Sequence, residues 1–376
     1  MGKIYTALGL MSGTSMDGVD ASIIQTDGKS KYNAILDKYF EYPKAIYNDL
    51  TKLRDKIKSS KDLKKYQKQM KLVEKEITIF HAKAANETLK KTKTDVDFIG
   101  FHGQTIFHNM SEKISKQLGD GSILSKLTKK KVVYEFRQND LKNGGNGAPL
   151  TPIFHQLIVK QIKVNFPVTI LNIGGIANYT YIKNYKTKDV IARDIGPGNC
   201  LIDEWIRKKT KKKFDNKGLI AKKGKINNIS LEAIDFYNSD LLNYIENEKD
   251  KKWKPKSSFD IKDFTFLDSF NELSLEDGAA TLTELTARRL DCIIHSNKEK
   301  IILCGGGRKN NFLVEKLKKK SKEIKIIDDY GINGDFVESQ AFAYLAIRSF
   351  LKLPISFPNT TGCKQPCTGG VLVKNF

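Results

Sequence analysis

The feature that most constrains the fold is a strand–turn–strand pattern that occurs twice. Residues 3–10 and 18–26 read as two strands of a hairpin, and the small polar residues of "SGTS" (12–15) form its turn. Residues 167–182 repeat the arrangement about 160 residues later, with paired glycines at the turn. A hairpin repeated in a chain of 376 residues predicts two related lobes.

The rest of the chain mixes strand and helix patterns, which predicts an α/β architecture. Strands are expected near 33–42, within 95–105 where a glycine loop follows, near 130–136 and at the end of the tail. Helices are expected over 44–58, 61–93, 271–296 and 334–351. A glycine loop that leads into a helix, with Pro149 and Pro152 in its first turn, is expected over 143–162, and a strand, three glycines and a helix over 300–320. We place one lobe at 1–128 plus 354–376 and the other at 129–353.

Charge is the most unusual feature of the composition. Sixty-five Lys and Arg against 43 Asp and Glu give a net charge of +22. The lysines are spread through stretches such as 64–76 and 314–325, without the aromatic interleaving of an RNA-binding sheet. This distribution of lysines favours a solvated surface and predicts no nucleic-acid partner. The alternative is a nucleic-acid-binding protein, whose affinity would depend strongly on salt. Without an apolar run near 18 residues or a signal-peptide core, we expect no membrane partner and a cytoplasmic location.

Five cysteines are scattered along the chain, an odd number that predicts reduced thiols. Cys363 and Cys367 are the two that lie close, in "CKQPC". A redox pair or half a zinc site is the alternative, but no second pair of cysteines or histidines accompanies them in the sequence.

Three glycine-rich turns offer backbone N–H groups to phosphate, since such groups carry positive dipole and no side chain shields them. None is a GxxxxGK[ST] loop, and each alone is equally explained as an ordinary turn. Together they favour a nucleotide. The residues are Gly13, Thr14 and Ser15 in the first hairpin, Gly174 and Gly175 in the second, and Gly305, Gly306 and Gly307 in "CGGGRKN".

Carboxylates stand beside these turns. Asp17 and Asp20 follow the first turn, and oxygen ligands of this kind suit Mg²⁺. Asp194 is expected to end a short strand that Gly196, Pro197 and Gly198 interrupt, where it would serve as a general base or instead cap the helix near 199–208. Glu338 begins the last long helix, as a partner of the helix dipole or facing the site.

Polar side chains at the end of the strand within 95–105 suggest sugar binding. His102, Gln104 and Thr105 in "FHGQTIFH" offer sugar-type hydrogen bonds. Zinc is not expected there, because a third nitrogen or sulfur ligand is missing.

The motifs as a set resemble the anhydro-N-acetylmuramic acid kinase family. The resemblance spans the chain from near residue 4 to near residue 373. Its motifs are, in order, "GLMSGTSMDGVD", "FHGQT", "GGNGAPLTPIFH", "LNIGGIAN", "RDIGPGN", "DGAATLTELTAR", "CGGGRKN", "GDFVESQAFAYLA" and "TTG". That family belongs to the actin–hexokinase–heat-shock ATPase superfamily. The resemblance implies a two-lobed, actin-like (ribonuclease H-like) α/β fold with duplicated hairpin loops and an interlobe cleft.

The resemblance also implies an activity. ATP would phosphorylate O6 of 1,6-anhydro-N-acetylmuramic acid while water opens the ring at C1, giving N-acetylmuramic acid 6-phosphate and ADP in peptidoglycan recycling. Asp194 would be the catalytic base, with Glu338 as a second catalytic residue, and Asp17 and Asp194 would hold Mg²⁺. A homodimer is implied as well. The phosphate loop would comprise Gly13, Thr14, Ser15, Met16, Asp17, Gly18, Val19 and Asp20, and the sugar site His102, Gln104, Thr105, Gly147, Pro149 and Asn178.

Two stretches depart from the family pattern. An arginine common near 255–264 is absent from "PKSSFDIKDF", where Ile261 is the nearest equivalent, and "GGQG" is "GGNG" here. The first change puts sugar contacts in doubt and keeps open a relative that acts on another anhydro or amino sugar. A nucleotide-gated binding or scaffold protein is the alternative outside the enzymes, and Asp194 argues against it.

Overall fold

A computed structural model describes residues 2–237, 263–265, 268–296, 300–321 and 323–376. Its contacts divide the chain into two compact units. The first comprises Met1–Val164, Tyr185–Val190 and Phe336–Phe376, and the second comprises Asn165–Asn184 and Ile191–Asp335. Each unit is built on a mixed β-sheet.

The first unit contains seven strands in the order β12-β6-β4-β1-β2-β3, with β5 paired to β4. Strands β1, β2 and β3 are antiparallel neighbours, whereas β1, β4 and β6 run parallel. Their bounds are β1 Tyr5–Ser12, β2 Gly18–Thr26, β3 Tyr32–Glu41, β4 Phe98–Asn109, β5 Ile114–Leu118, β6 Lys131–Tyr134 and β12 Val371–Val373.

Helices cover this sheet. Helix α3 contributes to the apolar core with Met70, Val73 and Ile77, which lie at helical spacing on one face. Helix α4 begins where the Asp120 carboxylate accepts a hydrogen bond from the Ile123 N–H. The helices of the unit are α1 Lys44–Lys56, α2 Ser60–Lys65, α3 Gln67–Leu89, α4 Gly121–Thr128, α5 Gln138–Lys142, α6 Pro152–Gln161, α11 Val337–Phe350 and α12 Pro358–Thr361.

Helix α11 packs unusually close to β1. A Cβ atom at Gly9 of β1 would lie 1.8 Å from the Ser339 carbonyl oxygen, so only glycine permits this approach. Ser22 and Ser339 add a hydrogen bond of 2.6 Å between β2 and the helix. The first turn of α11 is thereby fixed to the strands that carry the first hairpin.

The second unit contains five strands in the order β11-β10-β7-β8-β9. Strands β7 and β8 form an antiparallel hairpin, and β7, β10 and β11 run parallel. The strands are β7 Val168–Ile173, β8 Ile176–Ile182, β9 Val190–Pro197, β10 Lys300–Cys304 and β11 Ile324–Ile326. The helices are α7 Cys200–Lys209, α8 Asn228–Tyr237, α9 Leu275–Ser296 and α10 Asn311–Lys320.

The two sheets share one strand order. Counted from its own hairpin, each sheet runs third, second, first, fourth and then the next parallel strand: β3-β2-β1-β4-β6 in one unit and β9-β8-β7-β10-β11 in the other. The α/β class and the duplicated hairpin predicted from the sequence are therefore confirmed.

The division between the units differs from the lobes expected at 128/129 and 353/354. Residues 129–164 and 336–353 belong to the first unit. Strand β6 pairs with β4, and α11 packs on β1, β2 and β4, so hydrogen bonds and burial hold both segments to the first sheet. Sequence patterns show where elements lie but not which sheet they join.

Four element boundaries also differ from expectation. The helix predicted over 61–93 is interrupted at Tyr66, whose backbone leaves the α conformation. Strand β4 continues past its glycine because β5 pairs with residues 104–109. Helix α6 begins at Pro152, so Pro149 lies in the preceding loop. Strand β9 continues to Pro197, which an edge strand tolerates, so Asp194 lies inside the strand.

Among the residues that the structure describes, no helix is both long enough and apolar enough to cross a membrane.

Candidate functional site

The first hairpin turn, between β1 and β2, is held open to solvent at its tip. Thr14 and Ser15 are exposed, whereas Met16 next to them is buried in the core of the first unit. Met16 adopts φ +57°, and its N–H donates to the Gly13 carbonyl over 3.2 Å. The buried methionine therefore anchors a turn in which Thr14 and Ser15 are exposed.

A buried side-chain network supports this turn from beneath. The Ser12 hydroxyl lies 2.8 Å from the Gly18 carbonyl oxygen and 2.6 Å from Gln104 Oε1, two acceptors that share its one proton. Gln104 Nε2 donates to the Gly13 carbonyl over 2.9 Å. Gln104 is fully buried, so its side chain is committed to positioning the turn.

Of the remaining predicted phosphate-loop residues, Gly18 and Val19 open strand β2 and are buried. Asp17 is half-buried, and its Oδ1 accepts a hydrogen bond of 2.5 Å from the Ser15 hydroxyl. Asp20 lies on β2, opposite Met11. Burial, together with the charges of Asp17, Glu41 and Asp20, raises the pKa of Tyr39, which shows that these carboxylates share one neighbourhood.

Arg137 links two residues of the predicted sugar site. Its Nη2 lies 2.9 Å from His102 Nε2, and its Nη1 donates to the Gly147 carbonyl over 3.3 Å. Because His102 Nε2 accepts this bond, its Nδ1 carries the proton and donates to the Gly103 carbonyl over 2.8 Å. Burial, then the Arg137 charge, lowers the pKa of His102 far below its usual value, so the ring is neutral.

The other predicted sugar-site residues are more exposed. Thr105 on β4 is half-buried and accepts a hydrogen bond of 3.1 Å from Gln117 Nε2. Pro149 is half-buried in the loop before α6. Asn178 is half-buried on β8 of the second unit, opposite Asn172 of β7.

The second hairpin turn is held by backbone hydrogen bonds. The Gly175 carbonyl accepts from the N–H groups of Gly198 (2.9 Å) and Cys200 (3.2 Å), and the Gly174 carbonyl accepts from Asn199 (2.8 Å). A Cβ atom at Gly198 would lie 2.3 Å from the Gly174 oxygen, so the two segments touch backbone to backbone. This contact fixes the segment after β9 against the hairpin.

The triple-glycine turn lies at the same end of β7. Hypothetical Cβ atoms at Gly305 and Gly307 would lie 2.8 and 3.0 Å from the Ile173 carbonyl oxygen, whereas Gly306 has open space around it. Arg308 stabilises the turn by donating from Nη1 to the Gly305 carbonyl over 3.0 Å. Arg308 is itself buried and paired with Asp328 and Asp335, which raise its pKa against the opposing effect of burial.

Asp194 is buried, with 8% of its surface exposed, in the part of β9 that leads to Gly198. Helix α7 begins at Cys200, and Asn199 stands at its N-cap position. The second unit therefore contains the buried Asp194 carboxylate on β9, the Gly174–Gly175 turn and the triple-glycine turn.

Glu338 lies in the first turn of α11 in the first unit and is half-buried. Its negative charge is favourable at the positive end of the helix dipole, which is one of the two roles expected from the sequence. The close contact of α11 with β1 places this carboxylate on an element fixed to the first hairpin strands.

Chemically, each unit offers a glycine-containing turn and at least one carboxylate. The oxygen donors of Asp17 and Ser15 in one unit and of Asp194 in the other are the hard ligands that Mg²⁺ accepts, so these residues fit that ion. The segment near 255–262, where the family pattern changes, lies outside the described residues.

Sequence reasoning missed Arg137 and Arg308. Arg308 stands beside the glycines in "CGGGRKN", and this arginine following a glycine turn was the available signal. Arg137 carries no local signal, because its partners His102 and Gly147 come from separate segments.

Comparison with known sequences gives matches over the whole chain. A family model described as anhydro-N-acetylmuramic acid kinase matches residues 5–375. A protein of that name from Pelagibacter ubique (strain HTCC1062) is 54% identical, and the match covers 100% of both chains. A second from Agrobacterium fabrum (strain C58 / ATCC 33970) is 36% identical, again over 100% of both chains.

Solved structures give weaker similarities. Component A of the (R)-2-hydroxyglutaryl-CoA dehydratase of Acidaminococcus fermentans is 14% identical, with a TM-score of 0.45, over 92% of this chain and 98% of that one. A ROK family glucokinase from Streptomyces griseus, in complex with glucose and AMPPNP, is 10% identical, with a TM-score of 0.37, over 91% and 99%. The full-length sequence matches, which agree with the motif resemblance, show that the chain belongs to the anhydro-N-acetylmuramic acid kinase family.

Proposed function

We propose that the protein is an ATP-dependent kinase of 1,6-anhydro-N-acetylmuramic acid. It transfers a phosphoryl group to O6 while water opens the anhydro ring, and it releases N-acetylmuramic acid 6-phosphate and ADP for peptidoglycan recycling. The observation that carries this proposal is the full-length match at 54% identity to a kinase of this name. The site residues described above supply the groups that the reaction needs.

The glycine turns are proposed to bind the nucleotide. The first turn exposes Thr14 and Ser15 around backbone that the Ser12–Gln104 network holds in place. The turns at Gly174–Gly175 and Gly305–Gly307 are held in the second unit by backbone contacts and by Arg308. Donors fixed before the ligand arrives stabilise phosphate charge without a cost of reorganisation, which is the main need of phosphoryl transfer.

Asp194 is proposed as the general base. Its carboxylate takes a proton from water, and the water oxygen forms the new bond to C1 of the sugar. The C1–O6 bond breaks, and O6 forms a bond to the γ-phosphorus as the bond to the ADP oxygen breaks. The Asp194 carboxylate is buried on a strand that the Gly198 contact holds in place, as a positioned general base requires. Positioned base catalysis contributes about 10²–10⁴ in rate.

Asp17 and Asp194 are proposed to hold Mg²⁺, in line with their oxygen donors. When bound, Mg²⁺ neutralises charge on the phosphate oxygens. Glu338, in the first turn of α11, is proposed as a second catalytic residue that supplies a further carboxylate.

The sugar is proposed to contact Thr105, Gly147, Pro149 and Asn178. His102 and Gln104 belong to the same proposed site but already bond to Arg137 and to the first turn. We therefore propose that these two act on sugar binding through those partners. We propose a cytoplasmic location, where ATP is available. We also propose the homodimer that the family resemblance implies, which light scattering of the purified protein tests.

The deciding experiment incubates purified protein with Mg²⁺-ATP and 1,6-anhydro-N-acetylmuramic acid and follows products by mass spectrometry. We expect equal amounts of ADP and N-acetylmuramic acid 6-phosphate, with one solvent oxygen at C1 when the reaction is run in ¹⁸O-water. If ADP formed only with other amino or anhydro sugars, one of those sugars would be the substrate in place of 1,6-anhydro-N-acetylmuramic acid. Nucleotide binding without sugar-dependent ADP would contradict the kinase assignment.

A further inference from the structure

Three ligand-type side chains meet in the first unit at a place that the proposed reaction does not use. Asp140 of α5 and the thiols of Cys363 and Cys367 in the tail each offer one ligand atom, and these atoms all lie within 4.8 Å of one another. All three residues are buried. The sequence showed only the two cysteines of "CKQPC", and the fold supplies the third group.

The carboxylate of Asp140 is held in a defined orientation. The Thr361 hydroxyl donates to Oδ1 over 2.6 Å, and the Gly147 N–H donates to Oδ2 over 2.7 Å. A carboxylate oxygen has more than one lone pair, so these bonds leave acceptor capacity for a cation. Metal-binding carboxylates are commonly oriented by such hydrogen bonds.

The backbone around the three groups is also fixed. The Asn146 N–H donates to the Thr361 carbonyl over 2.8 Å, and the Lys364 N–H donates to the Asn143 carbonyl over 3.1 Å. Asn139 Nδ2 donates to the Thr368 carbonyl over 2.7 Å. Both sides of the cluster are therefore tied together independently of any ligand, which lowers the cost of assembling a binding site.

We propose that Asp140, Cys363 and Cys367 form a binding site for a divalent cation of the zinc type, with two sulfur ligands and one oxygen ligand. Two sulfurs bound to one tetrahedral zinc at about 2.3 Å each lie roughly 3.8 Å apart, which is within the span of the cluster. The three side chains fill three of the four positions of a tetrahedral ion. Each thiol releases its proton to solvent as its sulfur binds the cation, so binding releases two protons.

The three groups suit a cation, because a cation stabilises two thiolates and a carboxylate that are buried close together.

The site joins the tail to the loop that carries Gly147 and Pro149. Asp140 is bonded directly to the Gly147 N–H, so a bound cation would stiffen this loop. An effect on sugar affinity rests on the proposed function, whereas cation binding itself does not and is measured without sugar or nucleotide.

The test titrates Zn²⁺ into the full-length, chelator-treated and reduced protein, with a chromophoric chelator as competitor. We expect one tight equivalent, and Co²⁺ in its place should give thiolate-to-cobalt charge-transfer absorption. The double variant Cys363→Ser/Cys367→Ser should weaken binding by about 100-fold or more. Cys292→Ser, which removes a thiol in the second unit, is the matched control and should retain the tight equivalent.

Three results would overturn the inference: no tight equivalent in the parent protein, the same affinity in the folded double serine variant, or equal loss in Cys292→Ser. Rapid formation of a Cys363–Cys367 disulfide with oxidised glutathione, in place of Zn²⁺ binding, would assign the cluster to redox chemistry. Asp140→Asn, which keeps both thiols, should also weaken Zn²⁺ binding. Circular dichroism of each variant establishes that it is folded.

Discussion

The first hairpin turn, residues 12–18, and the second, residues 173–176, hold their backbones in different ways. The first rests on buried side chains, with Gln104 and Ser12 bonded to its carbonyls and Met16 packed into the core. The second rests on main-chain hydrogen bonds from residues 198–200, which approach so closely that Gly198 leaves no room for a Cβ atom.

The difference shows that one sequence pattern, strand, small polar turn and strand, is supported by two kinds of contact. A side-chain network is sensitive to the removal of a single polar group. A backbone-to-backbone contact is indifferent to most side chains but sensitive to any added Cβ atom. The two turns should therefore respond oppositely to the same type of substitution.

The largest effect is expected at the carboxylate of the second unit. Asp194→Asn should lower kcat by about 10²–10⁴, because the amide cannot take a proton from water. The affinity for ATP, measured by calorimetry without Mg²⁺, should change little, because Asp194 is proposed to act on the water and the metal ion. Asp95→Asn, which alters a carboxylate with 91% of its side chain exposed, is the control and should leave kcat unchanged. Turnover near that of the parent protein in Asp194→Asn would remove the assigned role.

Low pH is the next change, and we expect it to lower the stability of the first unit more than that of the second. Burial lowers the pKa of His81 to about 4, that of His155 to about 3 and that of His102 far below its usual value, and all three belong to the first unit. Unfolded histidines bind protons below about pH 6.5 whereas these folded ones do not. The free energy of unfolding should therefore fall with pH from 6.5 towards 4, by about 1.4 kcal/mol per pH unit for each histidine.

Denaturant titrations at pH 7 and pH 5 measure this loss. Both tryptophans of the sequence, Trp205 and Trp253, fall in 191–335, so tryptophan fluorescence monitors the second unit while circular dichroism reports both. We expect the circular dichroism midpoint to fall more than the fluorescence midpoint. His81→Leu should reduce the pH dependence. Equal stability at the two pH values would contradict the expectation.

Matched glycine substitutions test the backbone contact. Gly198→Ala should destabilise the second unit by about 1–3 kcal/mol, because its Cβ would lie 2.3 Å from the Gly174 oxygen. Gly13→Ala in the first turn meets nothing nearer than 3.8 Å and should leave the thermal midpoint almost unchanged. Similar shifts in both variants would show that the two turns are held alike.

The smallest effect is expected from the side-chain network. Gln104→Met should lower the free energy of unfolding by about 1 kcal/mol. The Gly13 carbonyl loses one of its two donors and keeps the Met16 N–H, and the Ser12 hydroxyl can still bond to Gly18. The KM for ATP should rise, since the turn loses its support. Gln117→Met, on neighbouring β5, is the control for both stability and KM. An unchanged KM in Gln104→Met would show that the network is not needed for nucleotide binding.

Much of the fold could be predicted because its local signals are strong. Strands β2 and β7, the hairpin turns and helix α9 follow from apolar runs, small polar turns and helical periodicity. The boundaries that were wrong depend on neighbours elsewhere in the chain. Strand β4 is extended by pairing with β5, and β9 runs past Gly196 as an edge strand beside β8.

The sequence by itself determined the family, the α/β class, the doubled hairpin and the residues proposed for the reaction, because these lie in short motifs whose chemistry is local. Tertiary structure alone decided that Gln104 supports the first turn, that Arg137 joins His102 to Gly147, and that Asp140 meets Cys363 and Cys367. Apart from the bond between Arg137 and Gly147, these contacts join residues that are far apart in the chain. Their distances depend on how the sheets and helices pack, and that information is absent from any single stretch of sequence.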